Sequence, residues 1–134
     1  MNKRNIDLGL LIFRLSLGIL MFMHGFHKLI NDVEGIKGML TEISLPAFLA
    51  YGVHLGETIA PLFIIVGYRT RLAAVAFTGV MIVAFLMAHT DNLFELTKSG
   101  AWAHEGIALF LFGGLGLIFT GGGKYALSTK SKWD

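Results

Sequence analysis

The sequence predicts an all-α integral membrane protein: a four-helix bundle with both termini cytoplasmic and a short amphipathic outer segment between helices one and two. Three observations carry that expectation. Apolar residues make up 54% of the chain. Charged residues make up 15%, against roughly 25% in soluble domains. The charges also gather into clusters, at the start, near residues 28–42, at 69–71, at 91–105 and after 123, with long apolar stretches between them. At 134 residues the chain suits one domain, over 1–134.

A bilayer core about 30 Å thick takes roughly 20 residues of helix, and four stretches qualify. The first runs over about 8–26 and is interrupted by Arg14. Its basic start, Lys3-Arg4, resembles that of a secretory signal. Arg14 inside the apolar run and the absence of a small-x-small cleavage site after it predict a retained helix instead. The second stretch covers about 47–66 and carries His54, Glu57 and Pro61; the third, 72–88, is uninterrupted; the fourth, 102–120, opens on His104 and Glu105. The tight turn Gly67-Tyr68-Arg69-Thr70-Arg71 makes helices two and three antiparallel neighbours. In the longer outer connection, Val33, Ile36, Leu40 and Ile43 recur at helical spacing, although Gly35 and Gly38 weaken the pattern.

Orientation follows from the basic residues. With the amino terminus inside, seven of them (Lys3, Arg4, Arg69, Arg71, Lys124, Lys130, Lys132) fall in inner segments and three (Lys28, Lys37, Lys98) in outer ones. The positive-inside rule then places both termini in the cytoplasm, and the chain as a multi-pass protein in the cell (inner or plasma) membrane. Tyr68, Trp102, Tyr125 and Trp133 lie near helix ends, as interfacial aromatics do. Because the basic residues serve topology, they make no nucleic-acid surface. Gly18 and Gly25 are seven apart in helix one, and Gly106 and Gly113 seven apart in helix four, spacings that let helices approach closely.

Charges at membrane depth need a reason. Arg14 lies about 9 Å in from Leu8, and Glu57 about 14 Å in from Val66, at 1.5 Å rise per residue. An Arg14–Glu57 ion pair between helices one and two is therefore expected, either fixing helix register or serving a site. Pro61 cannot donate to the Glu57 carbonyl and leaves it free.

The five histidines, His24, His27, His54, His89 and His104, all fall in the outer third. Such a layer suits a metal, a haem or proton exchange with a quinone, or simply the polar ends of helices. His54 and Glu57 share a helix face and lie deeper than the rest. With His24 at a similar level, they form the candidate quinone or cofactor site; no metal is assigned. The chain has no cysteine, which excludes thiolate ligands and dithiol relays of its own. It also has no P-loop, dinucleotide fingerprint or His-Glu-x-x-His.

The chain resembles the DoxX family of small four-helix membrane proteins over nearly its whole length. The resemblance rests on Arg14-Leu15 with Gly18, His24-Gly25 with Lys28-Leu29, Pro46, Glu57, and Gly67 to Arg69 followed by Arg71-Leu72-Ala73-Ala74. The tail departs from the family pattern: Lys124-Tyr125-Ala126-Leu127-Ser128 follows the three glycines in place of Ser-Leu-Asp. The resemblance implies a fold and a redox role, since the family name derives from subunits like those of a thiosulfate:quinone oxidoreductase. Three functions stand open at this point. The chain is a subunit of a quinone-linked membrane redox complex with protein partners, in which it is not a self-sufficient enzyme. Alternatively, it is a non-enzymatic scaffold that assembles partner proteins. A carrier is the third, disfavoured by the absence of an inverted repeat. A homo-oligomer is compatible with each.

Overall fold

The structure, a computed structural model, describes residues 3–31, 33–88 and 92–134. Among them every named element is helical: α1 (Lys3–Asn31), α2 (Glu34–Glu42), α3 (Ala60–Val66), α4 (Thr70–Ala88) and α5 (Glu105–Thr120), with a 3-10 helix at Ala47–Gly52 and a π turn at Leu55–Ile59 before α3. Three segments, Lys3–Asn31, Ala47–Val66 and Thr70–Met87, are long and apolar enough to cross a membrane, and α5 is a shorter apolar helix. Their outward side chains are apolar as well. Leu109, Phe112 and Phe119 on α5 are 71%, 66% and 78% exposed, a surface suited to acyl chains and not to water.

At 29 residues, α1 is about 44 Å long, more than a hydrocarbon layer about 30 Å thick requires. Its buried residues, Arg14, Leu17, Gly18, Met21 and Gly25, recur at helical spacing on one face. That face lies against α3 and the π turn. The core is drawn from four helices: Leu17 and Met21 of α1, Ala60 and Ile64 of α3, Ala73, Ala74, Phe77 and Met81 of α4, and Leu117 of α5. A smaller cluster joins Val33 and Leu40 beside α2 to Ala50 and Val53. Of the apolar spacing expected in the outer segment, Ile43 is the exception, 58% exposed, because α2 ends at Glu42.

Span two departs from the continuous helix that its apolar run predicts. Pro61 has no N–H to give the Glu57 carbonyl, and the chain just before it takes wider i to i+5 bonds, with Ala60 N donating to Leu55 O. The freed Glu57 carbonyl packs against Gly25, where an added Cβ would collide with it. At Gly18 a Cβ would stand 2.7 Å from Ile65 Cγ1, and at Gly113 2.6 Å from Leu17 Cδ1. Gly106 faces open space, so in helix four Gly113 alone makes the close approach its spacing predicts. Helix α5 starts at Glu105 instead of Trp102, because Trp102 bridges to Leu96 and its indole donates to Leu93 O at 2.7 Å.

Gly25→Ala should therefore destabilise the fold by about 3 kcal/mol, the upper range of overpacking costs. Gly106→Ala should leave thermal unfolding in detergent unchanged or slightly raised. Equal unfolding temperatures for the two variants would contradict the close packing of α1 on the π turn.

Candidate functional site

Two buried charges organise the interior, and they are not partners. Arg14 is 2% exposed. Its Nη1 donates to Ile64 O at 3.3 Å and Ile65 O at 3.1 Å, and its Nη2 to Tyr125 O at 2.5 Å. The carbonyls of the last turn of α3 would otherwise lack donors and carry the negative end of the helix dipole. The tail completes the capping, with Leu127 N donating to Val66 O at 3.2 Å and Ser128 N to Gly67 O at 3.0 Å. Arg14 is thus a fastener for the end of the bundle where α3 stops and residues 121–134 fold back.

The Arg14–Glu57 ion pair expected from the sequence is corrected by this geometry. Glu57 Oε1 accepts from Lys28 Nζ at 2.7 Å. Helix α1 and span two run antiparallel, so Arg14 lies level with residues 64–65, whereas Glu57 lies level with Gly25 and Lys28. Along α1, Arg14 and Gly25 are separated by about 16 Å at 1.5 Å per residue. Depths counted from two assumed helix ends could not resolve that offset. Lys28 was the residue missed. Its signal is present in the sequence, as the last basic residue of helix one, one turn beyond His24 and Gly25.

Glu57 is 3% exposed, and its Oε2 has no hydrogen-bond partner among the described residues. It sits in the π turn, an irregularity frequent at functional sites. The wider turn changes its relation to His54: His54 Nδ1 lies 3.4 Å from Thr58 Oγ1, and its ring 6.5 Å from that of Tyr51. Thr58 Oγ1 in turn lies against Gly25. Glu57, His54, Thr58 and Lys28 therefore form one polar locus where span two meets α1.

His24 stands apart from it. Its ring meets Phe110 of α5 edge-on at 5.9 Å. Among the described residues it makes no hydrogen bond or ring contact with His54 or Glu57. His27 is exposed. His104 is nearly buried, its Nε2 3.0 Å from Asn92 O and its ring edge-on to Phe85 and Trp102, which marks it as a tie for the outer loop. His89 lies outside the described residues. Among those described, no three His, Asp or Glu side chains converge as a metal ion requires.

The comparisons with known proteins converge on one family. The DoxX family model matches residues 9–90, a stretch that contains Arg14, Lys28 and Glu57. A protein of Bacillus subtilis (strain 168) named "Putative oxidoreductase CatD" is 34% identical over 86 residues, 64% of this chain and 63% of that protein. The chain thus spans less than two-thirds of the length of the curated relative it matches. No solved structure matches.

A double-mutant cycle separates the two pairings. Glu57→Gln and Lys28→Met should couple by about 0.5–3 kcal/mol, the range for residues in contact. Glu57→Gln and Arg14→Met should be additive within about 0.5 kcal/mol. Unfolding free energies measured in detergent decide this, and coupling to Arg14 in place of Lys28 would overturn the assignment.

Proposed function

The chain belongs to the DoxX family, and from that premise we propose that it is a subunit of a quinone-linked membrane redox complex. On this reading one membrane domain, 1–134, crosses the cell (inner or plasma) membrane four times, with α5 as the fourth span and both termini in the cytoplasm. Seven inner basic residues against three outer ones support the orientation.

The observation that carries the redox reading is Glu57: a carboxylate 3% exposed, on a π turn, with one oxygen held by Lys28 and the other without a partner. A buried ionisable group inside a span marks a proton or substrate path more often than a structural feature. Reducing a quinone to a quinol consumes two electrons and two protons. Lys28 and Glu57 supply a proton-exchanging pair, His54 with Thr58 a second exchange point, and the unpartnered Oε2 the atom that would face a quinone oxygen. His24 enters on the α5 side as a further polar group on α1. Electrons come from a partner protein, because this chain has no cysteine and no cofactor motif. The name of the Bacillus subtilis relative points the same way.

A scaffold that assembles partner proteins is favoured by one observation, the outer loop, where Phe94 is 94% and Leu96 65% exposed. Two measurements decide. Glu57→Gln and His54→Ala should each lower quinone co-purification and quinone-linked activity of the isolated complex by tenfold or more while insertion is retained, with His27→Ala near wild type. Full retention of quinone in the Glu57→Gln/His54→Ala protein, together with loss of partners on Phe94→Ser, would replace the redox reading with the scaffold. For topology, an impermeant thiol reagent on intact cells should label Gly38→Cys and Ser99→Cys but not Lys130→Cys. The opposite pattern would invert the bundle.

A further inference from the structure

At the end of the bundle remote from Glu57, where α4 begins and α5 ends, the segment 121–134 folds back over the helices. It leaves a cavity of about 440 Å³, with walls that include Arg71, Lys124, Ser128, Thr129, Ser131 and Asp134. Asp134 is the carboxylate among these walls, and Asp7 Oδ1 accepts from Lys124 N at 3.0 Å beside them. Asp134 Oδ2 accepts from Ser131 N, and Oδ1 lies 3.8 Å from Arg69 Nη1. Burial would raise its pKa, but hydrogen bonds from Ser131, Ser128 and Lys130 and the charge of Arg69 outweigh that, so its carboxyl is held below the usual range.

The cations in the wall are under-used. A guanidinium offers five N–H donors. That of Arg71 makes two long bonds, each 3.3 Å, to Lys132 O and Phe119 O, and its buried Nε has no partner among the described residues. The exposed Lys124 ammonium makes no ion pair among them either. Two spare cationic donors flanked by the Thr129 and Ser131 hydroxyls suit a phosphate, whose oxygens accept several charge-assisted bonds at once. The rim is apolar. Leu72, beside Arg71, is 51% exposed, and Phe119, beside the cavity-lining Thr120, is 78% exposed. Tyr125 and Trp133 are exposed at the same end, where interfacial aromatics mark the level of lipid headgroups.

We propose that this cavity binds the phosphate of an anionic phospholipid, gripped by Arg71 and Lys124 and steadied by the Thr129 and Ser131 hydroxyls. The acyl chains lie along Leu72 and Phe119 on the outer faces of α4 and α5. Basic recesses between membrane helices hold acidic headgroups by this chemistry. The site is independent of the redox reading, since it shares no residue with the Lys28–Glu57 locus.

The test uses the full chain purified in a neutral detergent, with native mass spectrometry for bound lipid and thermal unfolding for stabilisation. Short-chain phosphatidylglycerol should bind one per chain and raise the unfolding temperature. Phosphatidylcholine of the same chain length should bind far more weakly, and inorganic phosphate should fail to stabilise at matched concentration. Lys124→Gln should weaken phosphatidylglycerol binding about fivefold, the scale of one basic residue at an anionic surface. Arg71→Gln should weaken it at least as much, and Lys98→Gln in the outer loop should change nothing. Lys124 is exposed, so its variant remains informative even where Arg71→Gln fails to fold. Equal binding of the two lipids, or no loss in Lys124→Gln, overturns the proposal. Stabilisation by inorganic phosphate equal to that by phosphatidylglycerol overturns the lipid source and assigns the cavity to a soluble phosphate.

Discussion

The half of this bundle that carries the tail depends on Arg14. A guanidinium does not give up its charge in a protein, and in an apolar layer that charge must be met or the group will not stay. Among the described residues no carboxylate meets it. Three backbone carbonyls do: two from the last turn of α3 and one, Tyr125 O, from the tail. One side chain thereby joins α1, span two and residues 121–134. The arrangement also dictates a neighbour. Gly67 ends α3 at φ +73°, and a Cβ there would collide with Arg14 Nη1, so glycine is required by both backbone and space. Exposing Arg14 or filling Gly67 would leave the α3 terminus with unmet acceptors, which a membrane environment penalises.

The opposite half is built on a different compromise. Pro61 removes one backbone donor, the chain widens into a π turn, and the Glu57 carbonyl it frees is sealed by Gly25 on α1. The same turn presents the Glu57 side chain to Lys28 with one oxygen left over. Backbone irregularity, close helix approach and a buried ion pair are therefore one feature. The irregularity is tolerated at membrane depth because another helix covers it.

The three helices long and apolar enough to cross a membrane were legible in the sequence because length and composition alone determine them. The α2 segment was legible through Val33, Ile36 and Leu40. The partner of Glu57 was not. Choosing between Arg14 and Lys28 requires the relative height of two antiparallel helices, which a linear count cannot supply when α1 extends from Lys3 to Asn31 and span two is part π-helical. The histidines divide between neighbours for a rotational reason. Residues at one height can point to different neighbours, and His24 turns to Phe110 while His54 turns to Tyr51 and Thr58. The tail, read only as a basic inner segment, proved to be the lid over three helix ends. Its bonds run through backbone amides and carbonyls, for which no side-chain pattern exists.

The two halves divide the physical work in a way that bears on function. Arg14 is enclosed by fixed acceptors and cannot change protonation, so it suits permanence. The Lys28–Glu57 pair has one partly exposed member, its Lys28 side chain being 33% exposed, and one unpartnered oxygen. Under the proposed redox reading this separation is what a proton-handling subunit needs: a locus whose charge state varies, held at a distance from the fastener that keeps the bundle closed. The chain's own chemistry then ends at the proton. On that reading a partner protein supplies the electrons, and the end of the bundle locked by Arg14 and the tail offers it a fixed surface.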